Sequence, residues 1–343
     1  ACAQAPVGTG QYKFVEWVAG DHMKVELNKD WWGYDADVCG GTALADADAG
    51  FKSITFKPVA ESATRVSAIQ AGDAQIMWSV PTESVDTLKG DSNVSVGMGD
   101  SITVWYFFMN TQKAPFNDVK VREAMAYAIN KEAYIQVVMN GYGSVATSMV
   151  GEAVQHYKGN DPYSYDPEKA KELLKEAGYP DGFTTTLMYT NTTANQKKAE
   201  FYKQQLAEVG IDVTTTGQDQ MTWWTEGVAG NYDITTWNTE GSYTEPHKFL
   251  QESLGADPHA ISLQALDDFQ SYSDAVDAFS TSADPEVVQS AIATALNVSN
   301  DNVIDLPISY SKDLVVYNSS KIAGYTFSSV PQFFEIDNVQ PAE

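Results

Sequence analysis

Three side chains between Tyr232 and Leu250 could bind a small molecule. Strand-forming residues run up to Trp237 and are followed by a polar stretch that contains glycine, which we call the candidate loop. Loops at the ends of sheets often hold ligands, because their backbone groups are free to be shaped around a solute. Trp237 and Tyr243 could stack on or sandwich a ligand, and Glu240 could pair with a cation. Two interpretations stay open at this point, a binding loop and an ordinary surface loop.

A metal site receives little support from the spacing of its usual ligands. The chain has no CxxC pair and no histidine at zinc spacing. Counted from Asp46, the calcium-loop positions that require glycine and glutamate hold Phe51 and Lys57, so the acid-rich stretch 35–50 is interpreted as a surface insertion. His247 lies near the candidate loop, but a lone histidine is usually structural. The four histidines are His22, His156, His247 and His259.

Catalytic motifs are missing from the sequence. It contains no GxSxG, HExxH, SxxK or Walker sequence. Gly8 and Gly10 precede a strand, whereas the dinucleotide-binding glycines follow a strand and open a helix. The expectation is a protein that is not an enzyme and has no cofactor.

The net charge limits the class of partner, and the length limits the number of hydrophobic cores. The formal net charge of −25 would repel nucleic acid and anionic membranes. With 343 residues, the chain can bury more than one core. No run of about 18 apolar residues is present, and residues 1–20 do not make a signal peptide. Either a targeting segment has been removed or the chain starts inside a larger protein.

The two cysteines leave the compartment open. Cys2 and Cys39 could form a disulfide in an oxidising compartment, or they could be two unrelated thiols.

The elements that would position the candidate loop alternate between strand and helix, which favours an α/β fold. The apolar run Val104–Asn110 predicts a buried strand, and the stretch 116–135 predicts one amphipathic helix with its charged residues mainly off the buried face. The sequence Asp166-Pro167-Glu168 predicts a capped helix start, and Gly178 its end. Other predicted segments are a strand at 53–58, a helix at 63–71 ended by Gly72, and strands at 74–81, 184–189, 211–213 and 308–317, with a helix at 194–209.

Several stretches carry a family resemblance. From Met109 to Lys131 the sequence nearly matches F-N-T-x-K-x-P-F-x-D-V-x-V-R-x-A-x-x-Y-A-I-x-K, which resembles the extracellular solute-binding proteins of the peptide/nickel class that feed ABC importers. Further stretches of the same family are similar to Gly8–Trp17 with Asp30–Gly33, Arg65–Ile76, Tyr165–Tyr179 and Leu306–Tyr325. The resemblance implies a type II periplasmic-binding-protein-like α/β fold with two lobes joined by a hinge.

The resemblance also implies how the chain is divided. The block that begins at Gly8 lies about one third of the way along full-length relatives, so the chain is expected to lack an N-terminal portion. Residues 1–100 would form part of the first lobe, residues 101–308 the second lobe, and residues 309–343 the return to the first lobe.

Site residues follow from the resemblance by position. Trp237 occupies a place where an aromatic ring lines the pocket in several relatives. The acid that anchors a peptide α-amino group falls on Ser242 when counted back from Pro246, and on Glu240 when counted forward from Trp237. The cleft-facing loop of the first lobe would hold Trp78 and Ser79. Four further residues are candidates for pocket walls, namely Trp105, Tyr106, Trp223 and Trp224, although core or surface packing is the favoured interpretation of the last two.

The implied function is capture of a peptide between two lobes and delivery to a membrane permease. The protein would act outside the cytoplasm, as a monomer that is either free or lipid-anchored. The alternative is a nickel or nickel-chelate binding protein of the same class, in which His247 would take part. The resemblance does not decide which solute is bound.

Overall fold

The computed structural model describes residues 5–42, 51–150, 163–238, 250, 254, 258–327 and 339–342. The chain forms two compact units. Unit 1 takes in the chain up to Gly99 and resumes at Leu314, whereas unit 2 runs from Asp100 to Asp313. Two long strands therefore carry the chain from one unit to the other, β5 (Val94–Met109) on the way out and β10 (Asp305–Asn318) on the way back.

Unit 1 is built on short antiparallel pairings. β1, β2 and β3 form a three-stranded sheet in that order, the end of β10 pairs with β4 through Val316 and Met77, and β11 pairs with β12. Gly72 ends α1 in the left-handed conformation with φ 80°, which confirms the predicted cap. The elements are β1 (Tyr12–Val18), β2 (His22–Leu27), β3 (Ser53–Phe56), α1 (Ser62–Ala71), β4 (Ile76–Met77), α2 (Val85–Lys89), β11 (Ile322–Tyr325) and β12 (Val339–Pro341), with single 3-10 turns at Trp32–Tyr34 and Thr82–Ser84.

The strand predicted at 74–81 is mostly absent, because only Ile76 and Met77 pair in a sheet. Ser79 has φ 52°, a left-handed backbone that cannot continue a strand. Its carbonyl oxygen accepts a hydrogen bond from Arg65 at 3.1 Å. The apolar run at this place therefore leads into a turn.

Unit 2 is a mixed sheet flanked by helices. Its strand order is β10-β5-β9-β7-β8, and β6 also pairs with β10. β7 runs parallel to both β8 and β9, whereas β5 runs antiparallel to β9. Its other elements are α3 (Val119–Ala128), α4 (Lys131–Val137), β6 (Gly143–Val145), α5 (Pro167–Glu176), β7 (Phe183–Thr190), α6 (Thr193–Ala207), β8 (Ile211–Gln218), α7 (Gln220–Val228), β9 (Ile234–Asn238), α8 (Pro258–Gln264), α9 (Phe269–Thr281) and α10 (Pro285–Asp301).

The single helix predicted over 116–135 is in fact two. Ile129 has extended backbone with φ −97° and ψ 115°, so α3 stops at Ala128. The Asn130 side chain then accepts a hydrogen bond from the amide of Ala133 and caps α4. Apolar spacing continues across the break, which is why the sequence pattern did not reveal it.

Two charged side chains predicted to lie off the buried face are buried instead. Arg122 is 2% exposed and Lys131 is 3% exposed. Arg122 Nε donates to the carbonyl oxygen of Asn302 and its Nη1 to that of Phe116, each at 2.7 Å. The guanidinium thus ties α3 to the segment after α10.

The start of α5 follows the prediction from its sequence. Asp166 accepts a hydrogen bond from the amide of Lys169 at 2.9 Å, Pro167 is the first helical residue, and Gly178 adopts φ 91° just beyond the end. Each of these features depends only on neighbouring residues, so the sequence was sufficient.

Side chains of β5 alternate between two hydrophobic clusters of unit 2. Phe107 and Met109 belong to the cluster that includes residues of α3 to α6, and Tyr106 and Phe108 to a smaller one on the opposite face. Both faces of this strand are therefore covered. Across the described ranges, no helix is both long enough and apolar enough to cross a membrane.

Candidate functional site

The parallel strands of unit 2 end at one edge of the sheet. β7 ends at Thr190, β8 at Gln218 and β9 at Asn238. In open α/β sheets, ligands bind outside the carboxyl ends of such strands. The candidate loop predicted from the sequence begins directly after Asn238, at this edge.

Trp237 occupies the centre of an aromatic group beside this edge. It pairs across strands with Tyr106, and its ring centroid lies 6.0 Å from that of Phe108. Two further indoles pack on it, Trp223 at 4.5 Å and Trp224 at 5.4 Å between ring centroids. We call Trp223, Trp224 and Trp237 the tryptophan cluster.

Helix α7 supplies two members of this cluster. Asp219 caps the helix by accepting hydrogen bonds from the amides of Met221 and Thr222 and from the Thr222 hydroxyl, and these bonds lower the pKa of Asp219 below its usual value. Trp223 Nε1 donates to Thr235 Oγ1 at 2.9 Å, which fixes α7 against β9. The position of the Trp223 indole is therefore set by a specific bond as well as by packing.

The tryptophan cluster is partly open to solvent. Trp224 is 42% exposed, and both Trp223 and Trp237 are partly buried. Indole rings in such a position offer flat apolar surface and an electron-rich face for a ligand. The sequence favoured packing over a pocket wall for Trp223 and Trp224 and gave no sign of their contact with Trp237, because a tertiary contact between α7 and β9 leaves no local pattern.

Tyr106 lies inside unit 2 in the structure. Only 1% of its surface is exposed, and its ring packs edge-on against Phe108 with centroids 5.0 Å apart. A side chain this buried supports Trp237 from below. A direct contact between Tyr106 and a solute stays a prediction that no contact in the structure supports.

Trp105 lies on the opposite face of the sheet and belongs to a chain of polar contacts. Its Nε1 donates to Ser311 Oγ at 3.0 Å, and the Nζ of Lys198 lies 2.8 Å from the centroid of its ring. The same Nζ donates to Asn195 Oδ1 at 3.1 Å, and the Asn195 amide donates to Thr190 Oγ1 at 2.5 Å. We call this set the Lys198 network.

Trp78 and Ser79 belong to unit 1. Trp78 Nε1 donates to the Tyr325 hydroxyl at 3.4 Å, and Ser79 has the left-handed backbone held by Arg65. Non-glycine residues in this conformation are often found at functional sites. Ligand contact by Trp78 and Ser79 stays a prediction.

The remaining candidates lie outside the described residues. These are Glu240, Ser242, Tyr243 and His247, together with Cys2 of the proposed disulfide. Cys39 is a free thiol whose Sγ is 3.7 Å from the carbonyl oxygen of Trp32.

Metal ligands do not cluster in the part of the chain that the structure describes. No group of three or more His, Cys, Asp or Glu side chains there could hold an ion. His22 lies close to two carboxylates, Asp21 at 2.6 Å and Glu16 at 3.3 Å. Hydrogen bonds to Asp21 and then Glu16 raise its pKa above the usual value.

Comparison with known proteins identifies one family and similar curated proteins. Residues 2–259 match the family described as bacterial extracellular solute-binding proteins, family 5 Middle. The glutathione-binding proteins GsiB of Pectobacterium atrosepticum and of Escherichia coli (strain K12) are each 40% identical over 215 residues. That match covers 62% of this chain and 40% of either relative, so the chain matches well under half the length of these curated relatives.

Solved structures extend the similarity over nearly the whole chain. The ABC transporter-associated periplasmic binding protein DppA of Helicobacter pylori in complex with the peptide STSA has a TM-score of 0.79 and 27% identity, covering 98% of this chain and 64% of its own. NikA of Brucella suis in complex with Fe(III)-EDTA has a TM-score of 0.88 and 21% identity, covering 98% and 69%. The second likeness shows the fold alone.

Proposed function

The chain belongs to family 5 of the bacterial extracellular solute-binding proteins, and from that premise we propose that it serves an ABC importer by binding a peptide. The family consists of substrate-binding transport proteins rather than enzymes. The fold is the α/β architecture of type II periplasmic binding proteins, as the sequence resemblance implied.

One observation carries the proposal: the tryptophan cluster lies at the strand end from which the candidate loop starts. Indole faces bind peptide backbones and side chains without demanding one sequence, because stacking and apolar contact need only flat or apolar surface. Closure of two lobes around the peptide would exclude water and strengthen its polar contacts. The partner would be the permease of the importer, and the site of action would be outside the cytoplasm.

Relatives support a peptide over nickel. The proteins that match at 40% identity are named for binding glutathione, itself a tripeptide, and the DppA structure holds a peptide. For nickel, a comparable structure is NikA of Staphylococcus aureus in complex with Ni(L-His)2, whose 17% identity carries the fold only. Within the described ranges, no cluster of metal ligands supports nickel binding.

Isothermal calorimetry on the protein expressed from its complete gene tests the class of ligand. We expect heat from a mixed library of di- to pentapeptides or from glutathione, with apparent Kd values of micromolar or below. Heat only from nickel, or from nickel with histidine, would contradict the peptide assignment and direct attention to His247.

Trp237→Ala is expected to weaken peptide binding by about tenfold or more, because it removes the ring at the centre of the tryptophan cluster. Calorimetry gives the affinity, and circular dichroism checks that the fold is kept. Trp17→Ala is a matched control, since Trp17 is 54% exposed on β1 of unit 1. Equal affinity in wild type and Trp237→Ala would remove the tryptophan cluster from the site.

A further inference from the structure

The ammonium group of Lys198 is buried among neutral groups. Only 8% of the residue is exposed, and its Nζ contacts the Trp105 ring and Asn195 Oδ1. No carboxylate in the described part of the chain forms an ion pair with it. Burial lowers the pKa of Lys198 well below its usual value.

Such an arrangement costs stability. A buried ammonium loses its hydration, and the ring face and one amide oxygen offset that loss only in part. The other buried cation with described contacts, Arg122, donates to two backbone carbonyls and connects two segments of the fold. Among the described residues, Lys198 donates only to Asn195 of its own helix and otherwise lies on the face of the Trp105 ring, so a hydrocarbon side chain would fill its place at lower cost. Buried groups of this kind often belong to functional sites.

The Lys198 network lies at the edge of the sheet where the candidate loop begins. Trp105 is directly opposite Asn238, the last residue of β9, and Asn195 bonds to Thr190, the last residue of β7. Trp105, Asn238 and Ser311 are all partly exposed. The ammonium group thus lies just beneath a surface that a ligand at this edge would touch.

We propose that Lys198 and Trp105 form a subsite for a carboxylate group of the bound peptide. This inference rests on the proposed function and specifies the charge of its ligand. A carboxylate beside the exposed edge of the indole would favour the protonated form of Lys198, and the low dielectric around the ammonium would make their attraction strong. Because the ammonium already occupies one face of the ring, a ligand cation on the other face is disfavoured.

A carboxylate subsite built on a lysine is consistent with the net charge of the chain. A net charge of −25 repels anionic solutes from most of the surface, so recognition of a carboxylate needs a local cation at the site. The carboxylate could be the C-terminus of the peptide or an acidic side chain. These two sources are separated by the choice of ligand.

The test compares Lys198→Met with Lys197→Met, which removes the same charge from an exposed position one residue earlier on α6. Calorimetry uses three libraries of di- to pentapeptides: free C-termini, C-terminal amides, and free C-termini without Asp or Glu. We expect Lys198→Met to weaken binding of the first library by about 10- to 100-fold, with Lys197→Met unchanged. Whichever modified library lacks the recognised carboxylate should bind wild type weakly and lose nothing further in Lys198→Met.

The thermal midpoint distinguishes a binding role from a structural one. Lys198→Met should unfold at the same temperature as wild type or higher, because the buried charge is gone. A lower midpoint with unchanged affinity, or an equal loss of affinity for every library, would overturn the subsite. If wild type binds no library, the proposed function fails and the subsite fails with it. If wild type and Lys198→Met bind the peptides equally well, only the subsite fails.

Discussion

Arg122→Met is expected to lower the free energy of unfolding of unit 2 by about 4 kcal/mol, because it leaves one buried and one partly buried carbonyl oxygen without their charged donor. Those oxygens belong to Phe116 and Asn302, which are 186 residues apart in sequence but share one guanidinium. Burial lowers the pKa of Arg122 to about 10, so the group is still charged at pH 7. Urea denaturation followed by circular dichroism measures the change.

Two further variants make the Arg122 result specific. Lys120→Met removes a positive charge from the same helix, but Lys120 reaches an exposed partner, Glu176, at 2.8 Å and should change stability far less. Arg122→Lys keeps the charge and loses the planar fork, so it should fall between wild type and Arg122→Met. A loss below about 1 kcal/mol in Arg122→Met would show that the carbonyl oxygens find other donors.

Gly182→Ala should lower the free energy of unfolding by more than about 3 kcal/mol, because a Cβ adds both backbone strain and a clash. Gly182 has φ 75°, and an added Cβ would lie only 1.8 Å from the carbonyl oxygen of Gly210. The two glycines flank the point where β7 and β8 begin to pair, at Phe183 and Ile211. The clash would therefore push the first residues of both strands apart.

Gly178→Ala provides the matched control for Gly182→Ala. Gly178 also has a left-handed backbone, with φ 91°, but a Cβ there meets nothing within 4 Å. Gly178→Ala should lower the free energy of unfolding by about 1–2 kcal/mol, which is the effect of the backbone strain alone. The same loss in both variants, measured by urea denaturation, would contradict the role given to the close approach of Gly182 and Gly210.

Features set by neighbouring residues could be predicted from the sequence. The cap at Asp166 and the glycine end at Gly178 each need only a few adjacent residues, and both appear in the structure. The break between α3 and α4 was missed, because apolar spacing runs through Ile129 without a proline or glycine to interrupt it. Arg122 was misplaced, since its partner Asn302 is far away in sequence.

The candidate site likewise has features that could be predicted from neighbouring residues and features that depend on distant ones. Trp237 could be identified because it ends a strand before a polar stretch and matches a position in relatives. The contacts of Trp223 and Trp224 with Trp237 depend on how α7 folds back on β9, and nothing in the sequence of α7 encodes that. The burial of Lys198 could not be predicted, because a lysine among the polar residues of α6 has the sequence pattern of a solvated side chain.

The order of strands in unit 2 has a consequence for how the protein is made. β10 lies between β6 and β5 in the sheet, yet it begins only at Asp305. During synthesis, the ribosome releases the other described strands of this sheet first, and the edge of β5 that pairs with β10 stays open for nearly two hundred residues of elongation. At about 5–20 residues per second, that interval lasts roughly 10 to 40 seconds. An apolar strand edge that stays open for so long can pair with other chains, an aggregation risk that ends only when β10 covers the edge.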